Sequence, residues 1–378
     1  MDDERTEAVL LIGSSETNPD IYYRTRFFVP DPCVYFEHAG ERVLLLNDLE
    51  LDRGRSEARV DLVLPLSELR RRIPAGARAR AGLAHLAHVA LRERGVTKLT
   101  VPGDLPVMYA DLLRSLGYAL RVKTAFPFFD ERVYKSEEEV GHIRRAQLVT
   151  ERAMALAIEM VSASNAVDGV LHLDGAPLTS ERLKGEINAF LAREGYTATH
   201  TIVSSGAQSA MPHHSGTGPI AAGVPIVIDI FPRSQETGYW GDMTRTVVRG
   251  RPTDEARRMY EAVLEGQHLA LSMIRAGVAG KEVHEAVMEL FRSRGFETGE
   301  REGRMEGFIH STGHGLGLEI HEPPRITSDD TVLEEGMVVT VEPGLYYEHV
   351  GGVRIEDLVV VTAEGCVNLN TFPKTFEV

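Results

Sequence analysis

The sequence predicts an α+β fold in two domains, a small α/β domain over residues 1–132 and a larger α+β domain over 133–378. Three observations lead there. A chain of 378 residues holds two cores, provided that one domain is small and the other approaches roughly 250 residues. Up to about residue 130, short apolar runs alternate with helical periods. Past an aperiodic joint at 126–134, Ser136-Glu137-Glu138-Glu139 reads as a capping box opening a long helix, which puts the boundary near residue 132.

In the first domain, residues 8–12, 33–36, 43–46 and 98–101 are apolar runs of strand length. Residues 67–72 and 83–94 carry helical patterns, the second stopped by Gly95. His85 and His88 stand three apart on that helix, with no carboxylate or third ligand nearby, and read as ordinary helix residues. In the second domain, Val140, Ile143, Ala153, Leu156, Ala157 and Met160 give the long helix its apolar face. Further helices are expected at 180–194, closed by Gly195, at 254–276, capped by Thr253 and closed by Gly277, and at 281–294, closed by Gly295. Strand-like runs lie between them at 199–204, 224–231, 338–342 and 353–362.

Hydrophobic residues make up 43% and charged residues 26%, enough apolar material for a core and no signature of disorder. Lys and Arg number 41 against 56 Asp and Glu, a net charge of −15 spread along the chain. Such a surface repels phosphate backbones and argues against nucleic acid as a partner. Cys33 and Cys366 cannot form a disulfide framework and read as free thiols of a reducing compartment. Met1-Asp2-Asp3-Glu4-Arg5 is acidic with no apolar segment behind it, and no stretch has the apolar length of a membrane span. The expectation is a cytoplasmic protein with no membrane contact.

Five side chains stand where the pattern does not ask for them. Asp229 interrupts the apolar run Val227-Ile228-Asp229-Ile230-Phe231, and Asp242 follows thirteen positions later in Gly241-Asp242-Met243-Thr244-Arg245-Thr246. Glu342 ends Val338-Val339-Thr340-Val341, Glu356 lies in Gly352-Val353-Arg354-Ile355-Glu356-Asp357, and His314 sits among Gly313, Gly315 and Gly317. A carboxylate in an apolar strand is costly unless paired or bound to metal. Asp229 alone could turn outward on a half-exposed strand. Four such carboxylates with one imidazole share a cause if they surround a dinuclear metal site. The glycines would then remove bulk where backbone passes close to a ligand or substrate.

These blocks resemble a known family. The order Asp229, Asp242, His314, Glu342, Glu356 is similar to the ligand set of the creatinase/prolidase superfamily of metallopeptidases, which includes prolidase, aminopeptidase P and methionine aminopeptidase. The segments 238–246, 310–324, 341–346 and 352–357 carry the likeness, which extends over about 135–365. The resemblance implies a creatinase-like N-terminal α/β domain and a C-terminal "pita-bread" domain with a curved antiparallel sheet and flanking helices. It implies a peptidase that cleaves between an N-terminal residue and proline by attack of a metal-bridging hydroxide. Two divalent ions are expected, manganese or cobalt for preference and zinc as the third option. After Asp229 the family continues with a small residue and Gly, whereas here Ile230-Phe231-Pro232 follows, and the gap to Asp242 is slightly longer than usual.

By the same resemblance Asp229 and Asp242 bind one metal, Asp242 and Glu356 bridge, and Glu342 and His314 hold the second. Glu342 is also the candidate proton carrier. His213, with adjacent His214 as the competing match, and His321 and His310 are implied in substrate handling, and Arg354 in pairing with the metal-site carboxylates. Tyr239 and Tyr346 read equally well as pocket wall or core. A dipeptidase needs a group for the free carboxylate of proline, for which Arg301, Arg304 and Arg325 are candidates; dipeptidase and aminopeptidase P both remain open. A methionine aminopeptidase, a creatinase and a non-catalytic pita-bread binding module are the alternatives. The partners expected are a proline-containing dipeptide or peptide and a second copy of the chain. The aromatic stretch Tyr22, Tyr23, Phe27 and Phe28 is expected either at a dimer contact or active-site mouth, or packed in its own domain.

Overall fold

The computed structural model describes residues 6–378. The chain divides into two compact units that meet between Arg132 and Val133.

The first unit is built on a mixed six-stranded sheet. Across it run Leu62–Pro65, Glu41–Leu46, Cys33–His38, Glu7–Gly13, Lys98–Pro102 and Ala119–Lys123. The three middle strands pair antiparallel, and the outer ones join parallel through helical crossovers. Leu62–Pro65, apolar throughout, was not marked as a strand in the sequence, and Ala119–Lys123, half-buried or exposed, offers no apolar run. Helix Leu83–Glu93 lays Leu86, Ala87, Ala90 and Leu91 on the sheet and ends ahead of Gly95, which sits at φ 74°. His85 Nδ1 accepts the Gly82 N–H, and His88 Nδ1 meets the Tyr118 hydroxyl at 3.0 Å, so both serve their own helix and its neighbour. Tyr22 and Phe27 are buried in this unit, and Tyr22 stacks on Phe28 at 4.1 Å. The aromatic stretch therefore spends much of its surface on its own core. Cys33 is a buried free thiol, pushed up to about 12 by burial.

The second unit opens with helix Glu137–Ser162. The Ser136 hydroxyl caps the Glu139 N–H, and the Glu139 carboxylate returns to the Ser136 N–H at 2.9 Å. Helices Ser180–Arg193 and Asp254–Met273 begin at the side-chain caps of Thr179 and Thr253, and Gly280–Ser293 follows. The helix expected to reach residue 276 stops at Met273, because Ile274 has left helical φ/ψ and Gly277 lies in the turn beyond. Among the described residues, no helix is long and apolar enough to cross a membrane.

Two antiparallel sheets carry the centre of this unit. One has Ile226–Ile230 between Ile202–Ser205 and Met243–Val247. The other runs Glu322–Ile326, Gly313–Gly315, Val338–Val341, Asp357–Val361, Cys366–Asn368. A hairpin of Gly344–Tyr347 and Gly351–Arg354 joins them. The strand expected over 353–362 is two strands: Gly351–Arg354 belongs to the hairpin and Asp357–Val361 to the five-stranded sheet. The break falls at Ile355-Glu356, where the Glu356 N–H leaves the ladders and donates to Thr244 O at 3.1 Å. Apolar residues stand on both sides of the break, Val353 and Ile355 before it and residues 358–361 after it, so the segment reads as one strand.

Alternation decides which side chains face the site. Ile226, Ile228 and Ile230 pack in one core with Met243 and Val247, which turns Asp229 and Thr244 to the other face. Val339, Val341, Val353 and Ile355 pack in a second core under helix Asp254–Met273, which turns Thr340, Glu342, Arg354 and Glu356 to that same interior face.

Candidate metal centre

The side chains turned inward line one cavity of about 890 Å³. Asp229, Asp242, His314, Glu342 and Glu356 all border it, as do His213, His310, His321 and Arg354. Asp229 is 8% exposed, Asp242 4%, His314 5% and Glu356 2%, so the carboxylates are interior groups. Donor atoms of Asp242, His314 and Glu356 lie within 4.8 Å of one another. His314 Nε2 stands 3.3 Å from Glu342 Oε1 and 3.7 Å from Asp242 Oδ2.

Each donor is aimed by a neighbour. The Thr244 hydroxyl donates to Glu356 Oε2 at 2.7 Å. Thr340 Oγ1 accepts the His314 N–H at 3.0 Å and donates to Glu342 Oε1 at 3.2 Å. His314 Nδ1 lies 3.1 Å from Gly315 O, which places the ring proton on Nδ1 and leaves the Nε2 lone pair toward the cavity. Burial, with His321 beside it, pushes the His314 imidazole down to about 3, so it is neutral at pH 7, as a ligand must be.

The glycines around His314 act differently from expectation. A Cβ on Gly313 would sit 1.9 Å from Thr340 O, and one on Gly315 2.2 Å from Pro323 O. The close approach they allow is to neighbouring backbone: Gly313 draws the His314 strand against the strand that leads to Glu342, and Gly315 draws it against Glu322–Ile326.

Electrostatically the cluster is incomplete. Burial, together with mutual repulsion, raises the carboxyls of Asp242 and Glu356 well above their ordinary range and pushes Glu342 up to about 7. Among the described residues, the one buried counter-charge paired with a donor, Arg354, is committed to Asp229 Oδ2 at 2.7 Å. Asp229 Oδ1 is buried with no hydrogen-bond partner. A buried orphan oxygen facing three further carboxylates and a neutral imidazole fits an oxygen-rich divalent-cation site.

Arg354 extends the network. Its Nε donates to Thr244 Oγ1 at 3.2 Å and its Nη1 to the Tyr346 hydroxyl at 2.8 Å. That hydroxyl lies 2.9 Å from His310 Nε2, while His310 Nδ1 lies 2.8 Å from Ser311 O. Because Tyr346 accepts from Arg354, its own proton goes to His310 Nε2, and both His310 nitrogens are engaged within the protein. His310 therefore borders the cavity through its ring carbons.

His321 packs edge-on to His314 with ring centroids 4.4 Å apart, its imidazole lowered by burial and by Arg325. Of the adjacent pair, His213 lines the cavity, whereas His214 Nδ1 accepts the Gly216 N–H. Tyr346 and Tyr239 are not among the lining residues; Tyr239 donates to Glu139 Oε1 at 2.6 Å in the interior. Arg301 stands 3.9 Å from Glu306 and Arg304 pairs with Glu348 at 2.7 Å, while Arg325 borders the cavity.

The model of metallopeptidase family M24 matches residues 141–363. The chain belongs to that family. The Xaa-Pro dipeptidase of Pyrococcus furiosus is 37% identical over 242 residues, 64% of either chain. That of Pyrococcus horikoshii is 33% identical over 278 residues, 73% of either chain. An X-Pro aminopeptidase from Thermotoga maritima superposes with a TM-score of 0.82 at 25% identity, covering 99% of this chain and 98% of that one. Prolidase from Pyrococcus furiosus gives 0.76 at 27% identity, with 98% and 97% covered. The pita-bread fold and a metal-dependent site are thus properties of this M24 chain.

In this M24 chain the longer segment between Asp229 and Asp242 has a defined course. Pro232–Ser234 pairs with Tyr196–Ala198, and this pairing flanks two cavity residues, Phe231 and His200. His200 holds φ 57° and was not marked by any pattern in the sequence.

Proposed function

We propose that this protein is a dinuclear-metal Xaa-Pro peptidase that hydrolyses the bond between an N-terminal residue and proline. The observation that carries it is the convergence of Asp229, Asp242, His314, Glu342 and Glu356 on one cavity, with Asp229 Oδ1 buried and unpartnered. Asp229, Asp242 and Glu356 would hold one ion and Asp242, Glu356, Glu342 and His314 the other, manganese or cobalt in preference to zinc. The bound ions would supply the charge that makes water nucleophilic near neutral pH and polarises the scissile carbonyl.

The chain's own groups do the rest. Glu342, on the cavity wall with its Oε1 3.3 Å from His314 Nε2, can take the nucleophile's proton and pass it to the leaving nitrogen. His321 and His213, on the cavity wall, offer ring N–H groups to the oxygen on which charge develops. Arg325 binds the free carboxylate of a C-terminal proline, which favours dipeptides; it alone of the three candidate arginines borders the cavity. The relatives named as Xaa-Pro dipeptidases support the same substrate class. A cytoplasmic homodimer is part of the proposal, and light scattering at assay concentration tests the dimer.

The test is metal analysis of purified protein with hydrolysis of Xaa-Pro dipeptides and Xaa-Pro-Xaa tripeptides. Two ions per chain and dipeptide turnover are expected. No bound metal after incubation with Mn²⁺ and Co²⁺ would leave a binding module or a creatinase-type site. Faster cleavage of tripeptides would make it an aminopeptidase and remove the role given to Arg325.

A further inference from the structure

Two of the flanking helices each send one fully buried glutamine to the backbone of the carboxylate-bearing segments. Gln147, on Glu137–Ser162, faces Asp242. Its Oε1 accepts the Asp242 N–H at 2.8 Å and its Nε2 donates to Asp242 O at 2.8 Å. The amide thus pairs with Asp242 as a neighbouring strand would, at a residue one position short of the strand Met243–Val247.

Gln267, on Asp254–Met273, spans the other two segments. Its Nε2 donates to Val341 O at 3.1 Å and to Ile355 O at 3.3 Å. Those residues immediately precede Glu342 and Glu356. Ile355 lies in the break between two strands, where its carbonyl has no ladder partner and a buried carbonyl needs one. The amide cannot be flipped, since its oxygen would then face two carbonyls. Held this way, Gln267 leaves its Oε1 buried without a partner. A glutamine kept only to fill space would not retain an orphan acceptor; an oriented double donor would.

We propose that Gln147 and Gln267 are positioning residues for the metal centre: one fixes the backbone of Asp242, and the other ties Glu342 to Glu356. The idea rests on the metal-binding reading above. A side chain touching neither ion nor substrate then acts on how tightly the carboxylates close on the ions, as groups that orient metal ligands do.

Gln147→Met and Gln267→Met remove the amide and keep the length. Mn²⁺ affinity measured by competition with a fluorescent chelator should fall about 10- to 100-fold in each. The number of ions bound at saturating Mn²⁺, and KM for an Xaa-Pro dipeptide there, should stay at the wild-type values. A packing role would instead lower the melting temperature of the metal-free protein and leave Mn²⁺ affinity alone. If the methionine variants do not fold, Gln147→Glu, which keeps the acceptor and loses the donor, and Gln267→Asn, which withdraws the amide by one methylene, take their place. Affinities unchanged from wild type in either set overturn the proposal. A wild-type protein that binds no Mn²⁺ overturns the metal-binding reading itself, so the two failures are told apart.

Discussion

Loss of Arg354 should be felt sharply by the metal-free protein. The arginine is 3% exposed, and its partner Asp229 has one oxygen in the 2.7 Å ion pair and the other already unpartnered. Arg354→Met removes the charge and keeps much of the volume, leaving a buried carboxylate with no compensation. Breaking a buried pair in this way costs about 3–5 kcal/mol. The bonds to Tyr346 and Thr244 add about 1 kcal/mol at most, because Tyr346 keeps His310 and Thr244 keeps Glu356. Set against a total stability of roughly 5–15 kcal/mol, the variant should fold but be marginal. With Mn²⁺ bound, the ions take over the compensation of Asp229, so the loss should shrink. Arg354→Lys retains a charge without the three-way fork and should fall between. Urea unfolding of the three proteins, with chelator and with saturating Mn²⁺, measures all of this. A loss below about 1 kcal/mol in the chelated Arg354→Met protein would refute the reasoning, since a buried unpaired carboxylate cannot be that cheap. So would an equal loss with and without metal.

Five other outcomes are expected. His314→Ala should lower both bound metal and activity, with partial rescue by excess metal. His321→Ala should keep its metal and lose kcat by on the order of 10²–10³, the range for one oxyanion donor; metal loss equal to that of His314→Ala would show it to be a ligand. Metal affinity should rise with pH through about 7, because Glu342 holds its proton below that point and an incoming ion must displace it; calorimetry in buffers of different ionisation enthalpy counts the protons released. The metal-free protein should lose stability as pH rises above 6.5, since carboxyls raised in the folded state stabilise it only while protonated. His310 and His314, lowered to about 3, have the opposite sign but act only between that value and 6.5. Arg325→Ala should raise KM for Xaa-Pro dipeptides without changing metal content, and an unchanged KM would take the arginine out of substrate binding.

Much of the helical framework was legible because its signals are local. Ser136 and Thr253 cap their own helices, and the Glu139 carboxylate that closes the first cap is three residues from it. The site residues were legible for another reason: Asp229 amid Val227, Ile228 and Ile230 is anomalous whatever the tertiary structure. The misreadings are of things settled by distant partners. The run 353–362 reads as one strand with charged residues in its first half, and it breaks at Ile355-Glu356 because its halves pair with Gly344–Tyr347 and with Val338–Val341. Ala119–Lys123 is a strand through pairing with Lys98–Pro102 and not through apolar content. His310 sat in the right block, and only the Tyr346 and Ser311 bonds showed both its nitrogens to be occupied.

Glu356 and Asp357 set the two kinds of information side by side. Residue type and order establish that carboxylates occur in apolar segments, and hence that something must compensate them, because the cost of burying charge belongs to the group itself. They do not say which of two adjacent acids meets the cavity. The fold turns Glu356 toward Thr244 and the other donors, and turns Asp357 away to Arg245 at 2.8 Å and Lys374 at 2.7 Å. Gln147 and Gln267 are the extreme case, polar residues on helices with nothing local to mark them. Their partners lie 95, 74 and 88 residues away, so their meaning exists only once helices and sheets have packed.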